Sequence, residues 1–239
     1  MIVVQDISKN FGAKQALDNV SFTLPDNGIV ALIGENGAGK STLMRIMCGY
    51  ILPTAGKVKI YGHDVYDQRI SALTHIGYVP EISSLYGDMT VYDFLMWIAG
   101  IWGIKDKENQ LKNISQQMKI VEVLNNKIES LSKGFKKRVE IASAILHQPD
   151  FLILDEPTDG LDPNQKYDIR QFMKDYAKKH LVLISTHVLE DVSIAERVIM
   201  LSLGQIIKDT TIDNFRKISK NMDMGEAFRI LSNQRKDEK

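Results

Sequence analysis

Cysteine is nearly absent. The 239-residue chain carries one, Cys48, so no internal disulfide framework staples it, and a reducing compartment is the natural setting. Net charge is absent too: Lys and Arg number 30, as do Asp and Glu. That balance removes the usual electrostatic case for a nucleic-acid binder, and no nucleic acid is expected as a partner. Long apolar runs are also missing. A membrane-spanning helix needs roughly 20 consecutive apolar residues, whereas the longest run, Phe94 to Ile104, has 11. The first residues, MIVVQDISKN, lack the basic start, apolar stretch and cleavage site of a signal peptide. The expected location is therefore the cytoplasm, unless a partner holds the chain at a membrane. What remains is 44% apolar and 25% charged, the composition of a globular protein with enough chain for a sizeable core.

Short apolar segments alternate with helical patterns, which predicts an α/β fold. Ile2–Val4 is the first strand candidate. Val20–Leu24 alternates apolar and polar residues as a half-exposed strand does, and Ile29–Ile33 is continuously apolar, as in a buried central strand. Phe151–Leu154 and Leu181–Ile184 read the same way, and Val198–Leu203 with Gln205–Lys208 flanks Gly204 as a hairpin. From Val91 to about Leu146 strand signals are scarce. Val91, Phe94, Leu95, Ile98 and Ile101 recur at helical spacing, and Val121–Leu124 and Val139–Leu146 extend the pattern. This stretch predicts an inserted helical lobe. The polar residues from Ser232 to Lys239 predict a frayed end.

Residues 34 to 42 read Gly34-Glu35-Asn36-Gly37-Ala38-Gly39-Lys40-Ser41-Thr42 and fit G-x-x-x-x-G-K-[ST]. A buried strand precedes them and a helical pattern, Leu43 to Cys48, follows, which is the context a phosphate-binding loop requires. Glycines let backbone N–H groups converge on phosphate oxygens, and the helix N-terminus adds its positive dipole end. Lys40 supplies a charge toward the β- and γ-phosphates, and the Ser41 hydroxyl is a ligand for Mg²⁺.

The strand Phe151–Leu154 runs into Asp155-Glu156, at the carboxyl end where open α/β sheets bind ligands. Asp155 is the natural holder of the magnesium shell, and Glu156 points differently and can accept a proton from attacking water. Leu181–Ile184 ends in Ser185-Thr186-His187. At a sheet edge beside a nucleotide, His187 would contact the γ-phosphate or the water. His63, His75, His147 and His180 show no metal-ligand spacing.

Further motifs make the chain resemble the ATP-binding cassette (ABC) ATPases over nearly its whole length. Leu131-Ser132-Lys133-Gly134-Phe135, 23 positions before Asp155 counted from Ser132, resembles the ABC signature. Thr158-Asp159-Gly160-Leu161-Asp162-Pro163 resembles the D-loop, Ser185-Thr186-His187 the switch histidine, and Phe11 the aromatic that lies under adenine. Two positions depart from the common pattern. Lys133-Gly134-Phe135 stands where Gly-Gly-Gln is usual, and Glu81 stands where most of the family has glutamine. Glutamate keeps an oxygen ligand for a hard cation. Both variants resemble the exporter branch with separate ATPase subunits, which includes drug, antibiotic, ion and gliding-associated transporters.

The resemblance implies a P-loop NTPase core with a mixed sheet, an N-terminal antiparallel β-subdomain and an inserted helical subdomain. It implies one ABC ATPase domain over residues 1–231. Core and β-subdomain would occupy about 1–88 and 148–210, the helical subdomain about 89–147, and a short helical tail 211–239. ATP and Mg²⁺ are the implied cofactors: Glu156, His187 and Glu81 would be catalytic, and Ser41, Glu81 and Asp155 would hold the metal. Phe11 and Asn36 to Thr42 would bind the nucleotide. Two subunits, identical or related, would close head to tail, so that Ser132, Gly134 and Asp162 serve the partner's nucleotide. Ser132 also fits as an ordinary helix N-cap. The implied partner is an integral-membrane transporter subunit, holding the chain peripherally on the inner face of the membrane. It would dock near the loop from Ile82 and the aromatics Tyr92, Phe94, Trp97 and Trp102, most of which are read as lobe core. A soluble ABC ATPase acting on nucleic acid or ribosomes is the alternative, but that class usually shows two cassettes or a long coiled-coil insertion.

Overall fold

The computed structural model describes residues 1–82 and 85–237; Ser83, Ser84, Glu238 and Lys239 lie outside the described residues. Strand β1 (Ile2–Phe11) turns through Gly12-Ala13 into β2 (Lys14–Leu24), and β3 (Gly28–Ile33) leads through a loop into α1 (Lys40–Met47). Then come β4 (Ala55–Ile60), β5 (His63–Asp64), α2 (Arg69–Leu73) and β6 (Ile76–Val79). Three helices follow: α3 (Val91–Ile101), α4 (Lys107–Gln117) and α5 (Lys133–Ile145). The chain continues with β7 (Phe151–Asp155), α6 (Pro163–Ala177), β8 (Leu181–Ser185), α7 (Leu189–Val192), β9 (Arg197–Ser202) and β10 (Gln205–Thr211). Helices α8 (Ile212–Arg216) and α9 (Met224–Asp237) close it.

One sheet, in the order β2-β1-β4-β5, is antiparallel. The other, β10-β9-β3-β8-β7-β6, is parallel except for its β9–β10 hairpin. Its central strands are continuously apolar because both faces are covered. Along β3, Ile29, Ala31 and Ile33 enter a core shared with the helical segment and α6. Val30 and Leu32 enter a second core with α1 and the antiparallel sheet. Leu152 and Leu154 of β7 face the first core, Phe151 and Ile153 the second, the period-2 alternation of a strand. The sheet is thereby clamped, and the loops at its carboxyl edge project from a rigid base.

The hairpin turn expected at Gly204 is present, with Leu203 at φ 49° and Gly204 at φ 80°, the handedness that suits a two-residue hairpin. Gly204 N–H donates to the Ala38 carbonyl (3.0 Å), and Asp18 N–H donates to the Gly204 carbonyl (2.8 Å). The turn therefore ties β2 to the loop before α1.

Among the described residues between β6 and β7, the only strand-like pairing is a bridge between Thr90 and Lys127, so the helical reading of this stretch holds. Two expectations need correction. Val121–Leu124 is not a helix: Val121–Val123 forms a single 3-10 turn. Lys119, at φ 52°, ends α4, and the Leu124 and Asn126 carbonyls accept from Tyr92 and Val91 N–H instead of from a following turn. Nor is the helix frayed from Ser232, because α9 runs on to Asp237; Glu238 and Lys239 of the expected frayed end lie outside the described residues. Its earlier turns are anchored by Ala227 and Phe228 against the first core. Among the described residues no helix is long and apolar enough to cross a membrane.

Candidate functional site

Gly39, at φ 109°, stands at the N-cap of α1 and offers no side chain to cap it. The first amides of that helix therefore have no side-chain acceptor at the cap, the arrangement that suits an anion. A Cβ on Gly39 would come within 2.7 Å of the Ala16 carbonyl, so only glycine fits. Lys40 is 8% exposed, and its Nζ donates back over the loop to the carbonyls of Gly34 (2.8 Å) and Glu35 (3.3 Å). Burial lowers its pKa from the ordinary lysine value; the carboxylates of Glu156, Asp155 and Glu81 oppose that shift.

Asp155 closes β7 and is buried, and neither carboxylate oxygen has a hydrogen-bond partner among the described residues. A buried carboxylate in that state is costly unless a cation or donor arrives. The donor set around it suits a hard cation such as Mg²⁺: Ser41, Glu81, Asp155 and Glu156 line one cleft. Glu156, immediately after the strand, adopts φ 49°, a left-handed conformation that costs a non-glycine residue about 1–3 kcal/mol. The turn is held by Glu156 N–H donating to the Ser185 carbonyl (2.9 Å). It brings the carboxylate to His187, whose Nδ1 lies 3.0 Å from Glu156 Oε2, with the His187 backbone N–H at 3.4 Å.

These groups line a cleft of about 490 Å³. It collects Phe11, Asn36, Gly37, Ala38, Gly39, Lys40, Ser41, Thr42, Glu81, Asp155, Glu156 and His187. It also holds Lys14, Ala16 and Asp159, which were not among the expected site residues. Lys14 and Ala16 sit on the return strand of the hairpin whose tip carries Phe11 and reach the cleft only through tertiary packing, whereas Asp159 lies in the D-loop motif itself, where a sequence signal was available. Phe11 is half exposed, with the Lys9 ammonium 4.9 Å from its ring centroid.

Ser132, Gly134 and Asp162 do not line this cleft. Ser132 caps α5, its hydroxyl accepting from Phe135 N–H at 3.3 Å. Asp162 caps α6 in a reciprocal box with Gln165: it accepts from Gln165 N–H at 2.9 Å, and its own N–H donates to Gln165 Oε1 at 3.4 Å. Gly134 is buried, and a Cβ there would run into the Gln165 side chain. Lys133 Nζ reaches to 3.7 Å from Asp159 Oδ2. The signature segment and the D-loop thus pack on one another.

A second cleft, of about 320 Å³, lies between α1, α2, α3 and α5 and is lined by Tyr50, Arg69, Ile98, Trp102 and His147 among others. Trp102 stacks on His147 at 3.8 Å. Of the lobe aromatics, Phe94 is buried and Tyr92 is tied to Glu108, whereas Trp97 and Trp102 stay partly exposed.

Residues 17–159 match the sequence profile of the family described as ABC transporter. The chain is 31% identical over 224 residues to a probable multidrug ABC transporter ATP-binding protein, YbhF of Escherichia coli, covering 92% of this chain but only 39% of that protein. It is 31% identical over 240 residues to the lipopolysaccharide export system ATP-binding protein LptB of Haemophilus influenzae, covering 96% and 99% of the two chains. A solved ATP-binding subunit of an ABC transporter superposes with a TM-score of 0.86 at 28% identity, covering 97% of this chain and 99% of that one.

Proposed function

This chain belongs to the ABC transporter ATP-binding family, and on that premise we propose that it is the ATP-binding and hydrolysing subunit of a membrane exporter. The observation that carries the reading is Asp155: a buried carboxylate without a partner among the described residues, in one cleft with Lys40, Ser41 and Glu156. The amides of Asn36 to Thr42 cradle the phosphates, Lys40 meets the β- and γ-phosphates, and Phe11 stacks on adenine. Ser41, Asp155 and Glu81 would hold Mg²⁺, which would neutralise phosphate charge when bound. No group of three His, Cys, Asp or Glu that could hold a metal occurs among the described residues, and few protein ligands beside substrate phosphates is the usual arrangement for magnesium. Glu156 takes the proton of the attacking water, and His187, 3.0 Å from its carboxylate, orients it and contacts the γ-phosphate.

Two copies, or this chain and a related subunit, close around two nucleotides. Ser132, Gly134 and Asp162, which miss their own chain's cleft, face the nucleotide of the other. Residues 89–147 act as a helical subdomain beside a core and β-subdomain of about 1–88 and 148–210, with 211–239 as a short helical tail. An integral-membrane subunit docks on the half-exposed aromatics around Trp97 and Trp102 and holds the protein at the inner face of the membrane. The name of LptB, an export-system protein, supports an exporter.

Glu156→Gln keeps shape and removes the base. In the full chain it should abolish hydrolysis and trap an ATP-dependent dimer in sedimentation. Wild-type turnover in this variant would remove Glu156 as the base.

A further inference from the structure

Glu156 and His187 touch, yet His187 is more than half exposed and its loop must keep its place against water. Behind them lies a buried contact. The Asp191 carboxylate is fully buried. Its Oδ2 accepts from the Thr158 hydroxyl at 2.5 Å and from the Thr186 hydroxyl at 3.4 Å. Its Oδ1 accepts from Arg170 Nε of α6 at 2.6 Å. Thr158 lies two residues after Glu156 and Thr186 one residue before His187, and both threonines are buried. Thr186 Oγ1 in turn accepts from Val188 N–H at 2.9 Å, so this one hydroxyl ties together the residues on either side of the histidine.

We propose that Asp191 is a positioning residue for hydrolysis. Its carboxylate binds the segment after Glu156 to the segment around His187 and fixes the Glu156–His187 contact. This inference rests on the roles given above to Glu156 and His187. One carboxylate spanning two loops leaves neither free to shift without breaking a buried, charge-assisted hydrogen bond. Arg170 fixes the carboxylate itself, and compensates its buried charge. The strained φ of Glu156 needs this kind of over-determination to persist.

Thr158→Val removes the hydroxyl at nearly constant volume, and Thr158→Ser restores it. In the full chain, ATPase kinetics should show kcat falling about tenfold in Thr158→Val with KM for ATP within about twofold. Thr158→Ser should return kcat to within about twofold of wild type. In a His187→Ala background, Thr158→Val should add little further loss, because the geometry it protects is gone. Asp191→Asn should give the same kcat-selective loss; should it fail to fold, the threonine pair carries the test. An unchanged kcat in Thr158→Val, a failure of serine to rescue, or full additivity with His187→Ala would overturn the assignment. Glu156→Gln, run alongside, separates this failure from failure of the underlying roles, which would show as turnover surviving in Glu156→Gln.

Discussion

The cleft and the signature face both end at helix N-termini, yet the chain treats them differently. In the cleft, α1 starts at an uncapped Gly39 and Asp155 is buried with neither oxygen paired among the described residues. On the signature face, Ser132 caps α5 and Asp162 caps α6. The first region leaves its polar groups for a ligand to satisfy. The second caps its own helices, and the Ser132 hydroxyl, which accepts from Phe135 N–H, still has its proton to donate. The cleft is therefore poised for a ligand of its own, whereas the face has its helix caps in place and, on the proposed pairing of subunits, would meet an anion only when another subunit presents one.

Removing the cleft's central charge should produce the largest change. Lys40→Ala should weaken ATP binding on the order of 100-fold, because a buried, charge-assisted contact is lost. Titration calorimetry reads this directly, and wild-type affinity would break the account of the cleft. The opposite side is probed by Ser132→Arg, which should leave ATP binding intact while abolishing turnover. Mixing Ser132→Arg with Lys40→Ala subunits builds one working site in each mixed dimer. Random pairing should then restore about a quarter of wild-type turnover from two inactive preparations. Mixed dimers verified by differential tagging but lacking activity would show that the two surfaces do not cooperate across subunits. Phe11→Ala, at the rim of the cleft, should cost about 1–3 kcal/mol of ATP affinity if stacking on aromatics is the guide, with little effect on melting because the ring is half exposed.

How legible each region was follows from how local its determinants are. The phosphate loop, Asp155-Glu156 and His187 were readable because each sits beside a continuously apolar strand, and the strands are apolar because both faces are covered. Strand β4 was not recognised, although Lys57-Val58-Lys59-Ile60 alternates; its identity depends on pairing with β1, about fifty positions away in sequence. Lys14 and Ala16 reach the cleft only because the hairpin folds back over the loop before α1, at Ala16 O against Gly39. Asp191 was invisible for the same reason. Nothing in its neighbours announces that Thr158, 33 positions earlier, lies against it.

Gly134 shows where the two readings of a motif part. The resemblance assigns this glycine to phosphate contact, but its Cβ position is already filled by Gln165, the residue that completes the cap of α6. Gly134 lies within α5 with no positive φ, where alanine would otherwise stabilise the helix by up to about 1 kcal/mol. Gly134→Ala should instead destabilise by about 1–3 kcal/mol through overpacking, read as a lower urea midpoint. Gln165→Ala removes the obstacle, so Gly134→Ala in that background should be neutral or slightly stabilising. ATP-driven dimerisation then separates the two roles. If the double variant regains stability and ATP-driven dimerisation together, the glycine serves the joint between α5 and α6. If stability returns but dimerisation does not, closeness of the backbone to the partner's nucleotide is what demands a glycine there.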